Sequence, residues 1–132
     1  MENEHQTWLI ASNPSKYNIT DAFESNEVIT WGLTSKLNVG DMVYVYLSAP
    51  NSCIKYRCTV DKVNVIPSER LGAEFWMEEF NPNRNLINLK LMAVMNDDKL
   101  QLNYLIEHGL MSSAPQGPRR VRGKLNDFLD GL

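Results

Sequence analysis

Hydrophobic and polar positions alternate with a period of two along much of the chain, in short runs closed by Pro, Asn or Gly. "TWLIAS" (Thr7–Ser12) is an apolar run stopped by "NPS", the pattern of a strand entering a turn. "NITDAFES" (Asn18–Ser25) offers Asn and Thr as caps before Ala and Phe, and predicts a short helix. "VITW" is a short strand and "NVGD" (Asn38–Asp41) a turn. In "MVYVYLS" (Met42–Ser48), Val43, Val45 and Leu47 fall on one face and Met42, Tyr44 and Tyr46 on the other. Both faces are apolar or aromatic, so this strand should be central and covered on both sides.

"CIKYRCTVDKVNVI" (Cys53–Ile66) reads as a long strand with a slip in its period. Ile54, Tyr56, Cys58 and Val60 alternate on even positions, then the phase moves to Val63 and Val65. A one-residue slip is what a β-bulge produces, and it falls near Asp61–Lys62. A bulge in a long strand bends the sheet, as a small barrel requires. The connection from Pro67 to Asn85 is too long for a hairpin, and it carries Phe75, Trp76 and Phe80. "LINLKLMAV" (Leu86–Val94) is a clear strand. "DDKLQLNYLIEHGL" has Asp caps, helical spacing at Leu102, Leu105 and Ile106, and Gly109 as a stop. "MSSAPQGPRR" reads as loop, and "VRGKLNDFLDGL" as a strand end followed by a short helix. No βαβα order appears, so a doubly wound sheet is not expected. The expectation is an α+β, mostly β, barrel of five to six mixed strands with two or three short flanking helices.

The chain has 132 residues, so one domain spanning 1–132 is expected. The start "MENEHQTW" lacks the basic, apolar and small-residue order of a secretion signal, and no run is long enough to cross a membrane. A cytoplasmic protein is the expectation. Net charge is −3, which does not mark a strongly basic nucleic-acid binder. "GPRRVRGK" (Gly117–Lys124) nevertheless gathers Arg119, Arg120, Arg122 and Lys124 within six residues. Cys53 and Cys58 sit five apart, on opposite faces of a strand, where they neither bridge nor share a metal. With no CxxC, no HExxH and no clustered histidines, no metal and no cofactor are expected. There is no nucleophile elbow, P-loop or dinucleotide fingerprint, so no catalytic step is expected.

"WLIASNPSKY" followed by a short helix, then "ITWGLTS", then "NVGDMVYVYLS", resembles the start of EVE domains of the PUA-like superfamily. "QGPRR" is similar to their closing segment, and the same order of elements resembles the related YTH domains, which recognise methylated adenine in RNA. The resemblance covers most of the chain. It implies a pseudobarrel with a pocket at its mouth that takes a flipped, modified base of DNA or RNA. It places Ser12 and Asn13 at the base edge, Trp31 stacked on the base, and Gly32 with its backbone toward the base. Trp76 becomes a second aromatic wall, and Arg119, Arg120 and Lys124 become contacts to backbone phosphates. The chain departs from EVE domains in two ways: it lacks the longer arginine-bearing stretch after the tryptophan, and it has Asn at position 13 where many of them have Glu.

Extruding a base costs a few kcal/mol, to be offset by stacking worth about 1–3 kcal/mol and by hydrogen bonds to the base edge. A buried methyl adds about 1 kcal/mol at roughly 25 cal/mol/Å². Alternatives stand beside this. Trp8, Trp31, Tyr44 and Tyr46 also suit plain core, Trp76 also suits packing of its own loop, and Ser12–Asn13 also suit a simple turn before Pro14. The function expected is a non-catalytic reader of a modified base, with a partner nuclease or modification enzyme to act on the nucleic acid. The alternatives are a protein-interaction or small-ligand module on the same barrel, and an RNA-surface binder without base flipping.

Overall fold

Each alternating run of the sequence becomes a strand in the structure, a computed structural model that describes residues 5–76 and 84–132. The strands are β1 (Thr7–Ser12), β2 (Val28–Leu33), β3 (Met42–Leu47), β4 (Cys53–Lys62), β5 (Asn85–Val94) and β6 (Arg119–Arg120). The helices are α1 (Ile19–Ser25), α2 (Leu102–Glu107) and α3 (Gly123–Asp130). One sheet holds all six strands in the order β2–β5–β4–β3–β1–β6. Only β1 and β3 run parallel; the other neighbours are antiparallel. No helix among the described residues is long and apolar enough to cross a membrane.

The sheet is covered on both faces, as the double apolar pattern of β3 requires. Val43, Val45 and Leu47 join Ile10, Tyr56, Cys58 and Val60 on one face, beneath α1. Tyr44 and Tyr46 join Leu9 and Ile54 on the other, beneath α2 and α3. Asn18 caps α1, its side-chain oxygen accepting from the Asp21 N–H at 3.2 Å. The register of β4 against β5 slips between Val60 and Lys62, where the period of the sequence slips. Two further irregularities, at Arg57/Cys58 and at Val45/Tyr46, add to the bend.

Three expectations are corrected. The β4 strand stops at Lys62 rather than Ile66, because Asn64 adopts a left-handed φ of 54° that ends the strand. Val65 then turns back, its N–H donating to the Leu86 carbonyl at 3.0 Å. The helix over "DDKLQLNYLIEHGL" divides into a 3₁₀ turn (Asp98–Leu100), capped by the Asp97 carboxylate, and α2. Arg119 and Arg120, read as loop, form a short strand on the edge of β1. Phe80, Glu78 and Glu79 lie outside the described residues.

The "VGD" turn does more than reverse the chain. Asp41 is 1% exposed, and its carboxylate accepts from the Gln6 N–H (3.0 Å), the Asn38 N–H (3.0 Å) and the Trp8 indole N–H (3.2 Å). The N-terminal arm, β1 and the approach to β3 are thus fastened at one carboxylate. Gly40 holds a φ of 93° with the His5 ring against it; a Cβ there would lie 2.6 Å from that ring.

Candidate functional site

A cleft of about 560 Å³ opens at the end of the first core, between the close of β1, the second half of β2 and residues 115–118. Its floor is aromatic. Tyr17 packs edge-on to Trp31 with ring centroids 5.4 Å apart and an interplanar angle of 89°. Tyr17 also meets Trp76 at 4.5 Å, and Trp31 meets Trp76 at 5.4 Å and 34°. The three rings form one cluster, each lining the cleft.

The loop that brings Trp76 here is stitched down at several points. Thr30 donates its N–H to the Leu71 carbonyl (3.0 Å) and accepts the Leu71 N–H on its hydroxyl (2.8 Å). That hydroxyl donates in turn to Asn88 Oδ1 at 2.6 Å. The Tyr17 hydroxyl donates to the Gly72 carbonyl at 2.9 Å, and the Asn18 N–H donates to the Phe75 carbonyl at 3.0 Å. Gly72 sits at φ 69°, where a Cβ would lie 2.8 Å from the Tyr17 hydroxyl. Burial, seconded by the Glu74 carboxylate, pushes the Tyr17 phenol above its usual range, so it stays a neutral donor.

The rim is cationic. Lys16, Arg70 and Arg84 line the cleft from three separate segments, and no carboxylate is among the described residues that line it. Lys16 is set by the turn after β1, its N–H donating to the Asn13 carbonyl at 2.9 Å. Arg70 donates from Nε to the Pro67 carbonyl at 2.9 Å. The Arg84 side chain passes over Gly32, with its Cβ 3.1 Å from where a Cβ on Gly32 would be.

The residues singled out by the sequence fare unequally. Asn13, Trp31, Gly32 and Trp76 all line the cleft. Asn13 accepts from Ser15 N (2.9 Å) and Oγ (2.7 Å) on its Oδ1, which leaves its NH₂ as the remaining donor. Trp31 is 7% exposed and belongs mainly to the core, presenting only a margin to the cleft. Ser12 does not line the cleft. It is fully buried at the end of β1, opposite Leu47, and its hydroxyl finds no partner among the described residues. Arg119, Arg120 and Lys124 do not line it either. Arg119 pairs opposite Leu9, whose side chain belongs to the core beneath α2 and α3. Arg120 lies over the Trp8 ring, 5.6 Å from its centroid, with Nε buried and unpaired among the described residues. Lys124 sits in α3 beside Gly109.

Lys16, Tyr17, Arg70 and Arg84 escaped the sequence reading. A signal existed only for the first two, which follow the "NPS" turn directly. Arg70 and Arg84 belong to the long connection from Pro67 to Asn85, and no periodicity encodes their approach to β2. Within "PQGPRR" it is Pro115–Pro118 that reaches the cleft, and the arginines that do not.

No protein-family model matches the sequence, and no curated protein is similar to it at a significant level. Solved structures share its architecture. The ASCH protein of Zymomonas mobilis is 13% identical, over 98% of this chain and 96% of that one, with a TM-score of 0.68. The protein Atu2648 of Agrobacterium tumefaciens is 13% identical over 95% and 89%, with a TM-score of 0.63. The protein Rpa0253 of Rhodopseudomonas palustris is 14% identical over 93% and 89%, with a TM-score of 0.61. At such identities the likeness concerns the fold. ASCH domains belong to the PUA-like superfamily, as EVE domains do, and these neighbours do not carry the EVE assignment itself. The six-stranded, mixed half-barrel with its short helices is a PUA-like pseudobarrel, similar along nearly its whole length to the ASCH protein of Z. mobilis.

Proposed function

We propose that the cleft binds nucleic acid by receiving one unstacked base against the Tyr17–Trp31–Trp76 cluster, without a catalytic step. The observation that carries this reading is the pairing of an aromatic floor with three basic side chains, Lys16, Arg70 and Arg84, among the described residues that line the cleft. Aromatic faces suit any base, and the cations suit the phosphates that accompany it. The volume lies within the range of small-ligand sites, about 300–1,000 Å³.

The base does not lie between the two indoles. Two stacking gaps of about 3.5 Å need ring planes about 7 Å apart, and these centroids stand at 5.4 Å. It stacks instead on the exposed side of the cluster, chiefly on Trp76, while the Asn13 amide and the Gly32 backbone meet its polar edge. A base carrying an extra methyl gains apolar contact there, so a modified base is the preferred ligand. A partner nuclease or modification enzyme then acts on the bound nucleic acid.

The test is intrinsic tryptophan fluorescence during titration with short oligonucleotides carrying N6-methyladenine or 5-methylcytosine, against unmodified controls. Quenching by a modified strand at lower concentration than its control supports the reading, as does loss of that quenching in Trp76→Ala. Absence of quenching by any strand, with folded protein, overturns it.

A further inference from the structure

Resting on that reading, we infer that Asn13 makes the cleft selective for a base whose facing edge carries an oxo group, over the counterpart that carries an amino group there. Residue 13 has two acceptor atoms, and both are occupied within the protein. Its main-chain oxygen accepts the N–H groups of Lys16 (2.9 Å) and Tyr17 (3.1 Å). Its side-chain Oδ1 accepts the Ser15 N–H (2.9 Å) and the Ser15 hydroxyl (2.7 Å). Each oxygen has two lone pairs, so neither takes a further hydrogen bond. The amide is also fixed in orientation. Turning it over would set its NH₂ against the Ser15 N–H, donor against donor. Asn13 lines the cleft, and it offers a ligand there an N–H donor and no acceptor.

Asn13 and Ser48 directly follow the parallel strands β1 and β3, whose last residues Ser12 and Leu47 pair, and the Ser48 N–H donates to the Ser12 carbonyl at 3.0 Å. Both residues line the cleft, with Gln116 from the 115–118 wall. The Ser48 hydroxyl donates or accepts, and the Gln116 amide can turn to offer either of its ends, so neither sets the sign of recognition. Asn13 sets it. The exocyclic groups of a base stand out beyond its ring nitrogens and are met first. Uracil and thymine (O4), guanine and hypoxanthine (O6) carry an acceptor oxygen at this place, whereas cytosine (N4) and adenine (N6) carry an N–H donor. An oxo group completes a hydrogen bond with the Asn13 amide. An amino group meets it donor to donor, and both lose water without gaining a bond.

The experiment is tryptophan fluorescence titration of the whole chain with tetranucleotides that differ at one base only. One pair is 5-methyluracil against 5-methylcytosine, which carry the same methyl group; the other is hypoxanthine against adenine. The inference expects the oxo member of each pair to bind at least about tenfold tighter, near 1.4 kcal/mol. Asn13→Asp keeps one oxygen for Ser15 and turns a second oxygen, an acceptor, toward the base, so the order within each pair should reverse. A general loss of affinity from the added negative charge cancels in the ratio. Asn13→Ala, which removes the donor, should bring both ratios close to one. A ratio near one in the unaltered protein, or one that favours the amino base, overturns the inference and leaves the proposed function standing. An oxo preference that persists in Asn13→Asp or Asn13→Ala does the same. Absence of quenching by these four strands and by the strand carrying N6-methyladenine overturns both.

Discussion

Trp31 and Trp76 touch, at 5.4 Å between ring centroids and 34° between planes, although 45 positions separate them in sequence. The contact makes one of them floor and the other surface. Trp31 is almost wholly buried and pairs with Ile87 across the sheet, whereas Trp76 sits half-buried in the loop above it. Their roles in any binding event should therefore separate by mutation.

Trp31→Ala removes a core aromatic and should cost about 3–5 kcal/mol of stability. Trp76→Ala truncates a half-buried ring, and should cost less than half as much while removing the stacking surface. Urea denaturation of both variants checks the order. Equal losses would place Trp76 in the core and deprive the cleft of its exposed aromatic face.

Tyr17 joins the two indoles and ties down the loop through its hydroxyl. Tyr17→Phe keeps the ring and leaves the buried Gly72 carbonyl without its donor. The expected loss is about 1–3 kcal/mol, accompanied by a change in tryptophan emission as Trp76 loosens. Unchanged stability and emission would show that the hydroxyl does not position the loop.

What the sequence made legible was the scaffold. The strands of "TWLIAS", "MVYVYLS" and "LINLKLMAV" were readable because a half-buried strand imposes a period of two, and the bulge near Lys62 because a slip breaks that period. The site roles of Asn13, Trp31 and Gly32 came from the family resemblance, and not from the period of the strands. Trp76 was placed through the same resemblance. Arg70 and Arg84 enter through the long-range contacts of Leu71 with Thr30 and of Arg84 with Gly32, which leave no local mark. The run Arg119–Lys124, which the resemblance makes a set of phosphate contacts, stands outside the lining of the cleft. Its local charge is conspicuous, but tertiary packing spends Arg120 on Trp8 and turns Arg119 away from the cleft. Ser12, placed at the base edge by the same resemblance, is buried by the parallel pairing of β1 with β3.

Asp41 is a buried carboxylate held by three N–H donors, and each would lose its acceptor in Asp41→Ala. Leaving these donors without an acceptor should destabilise by about 1–3 kcal/mol for each buried group. Asp41→Asn, which keeps the shape, should lose less. Thermal melts of the two variants decide; a tolerated Asp41→Ala would mean that the N-terminal arm and β1 are held in place by other contacts.

Burial pushes the Cys58 thiol from an ordinary 9.0 up to about 12 and raises the Tyr17 phenol above its ordinary 10.0. Both groups are favoured in their neutral form when folded. The stability this confers is full below pH 9 and is lost as pH rises from there toward 12, because the unfolded chain releases these protons first. Stability measured by urea should thus decline between pH 9 and 11. Ellman's reagent at pH 8 should modify Cys53, which is partly exposed, well before Cys58, which reacts only on unfolding. Equal rates for the two thiols would contradict the buried position of Cys58.

The most direct test of the cleft as the binding surface is an amide chemical-shift map of the labelled protein titrated with the oligonucleotide that quenches best. The expected result is a set of shifts confined to Asn13–Tyr17, Thr30–Leu33, Trp76 with its indole N–H, and Gln116–Gly117, with Arg119–Lys124 unmoved. Shifts centred on Arg119–Lys124 and absent from Trp76 and Gly32 would contradict it, and would assign recognition to the outer strip that the sequence alone made conspicuous.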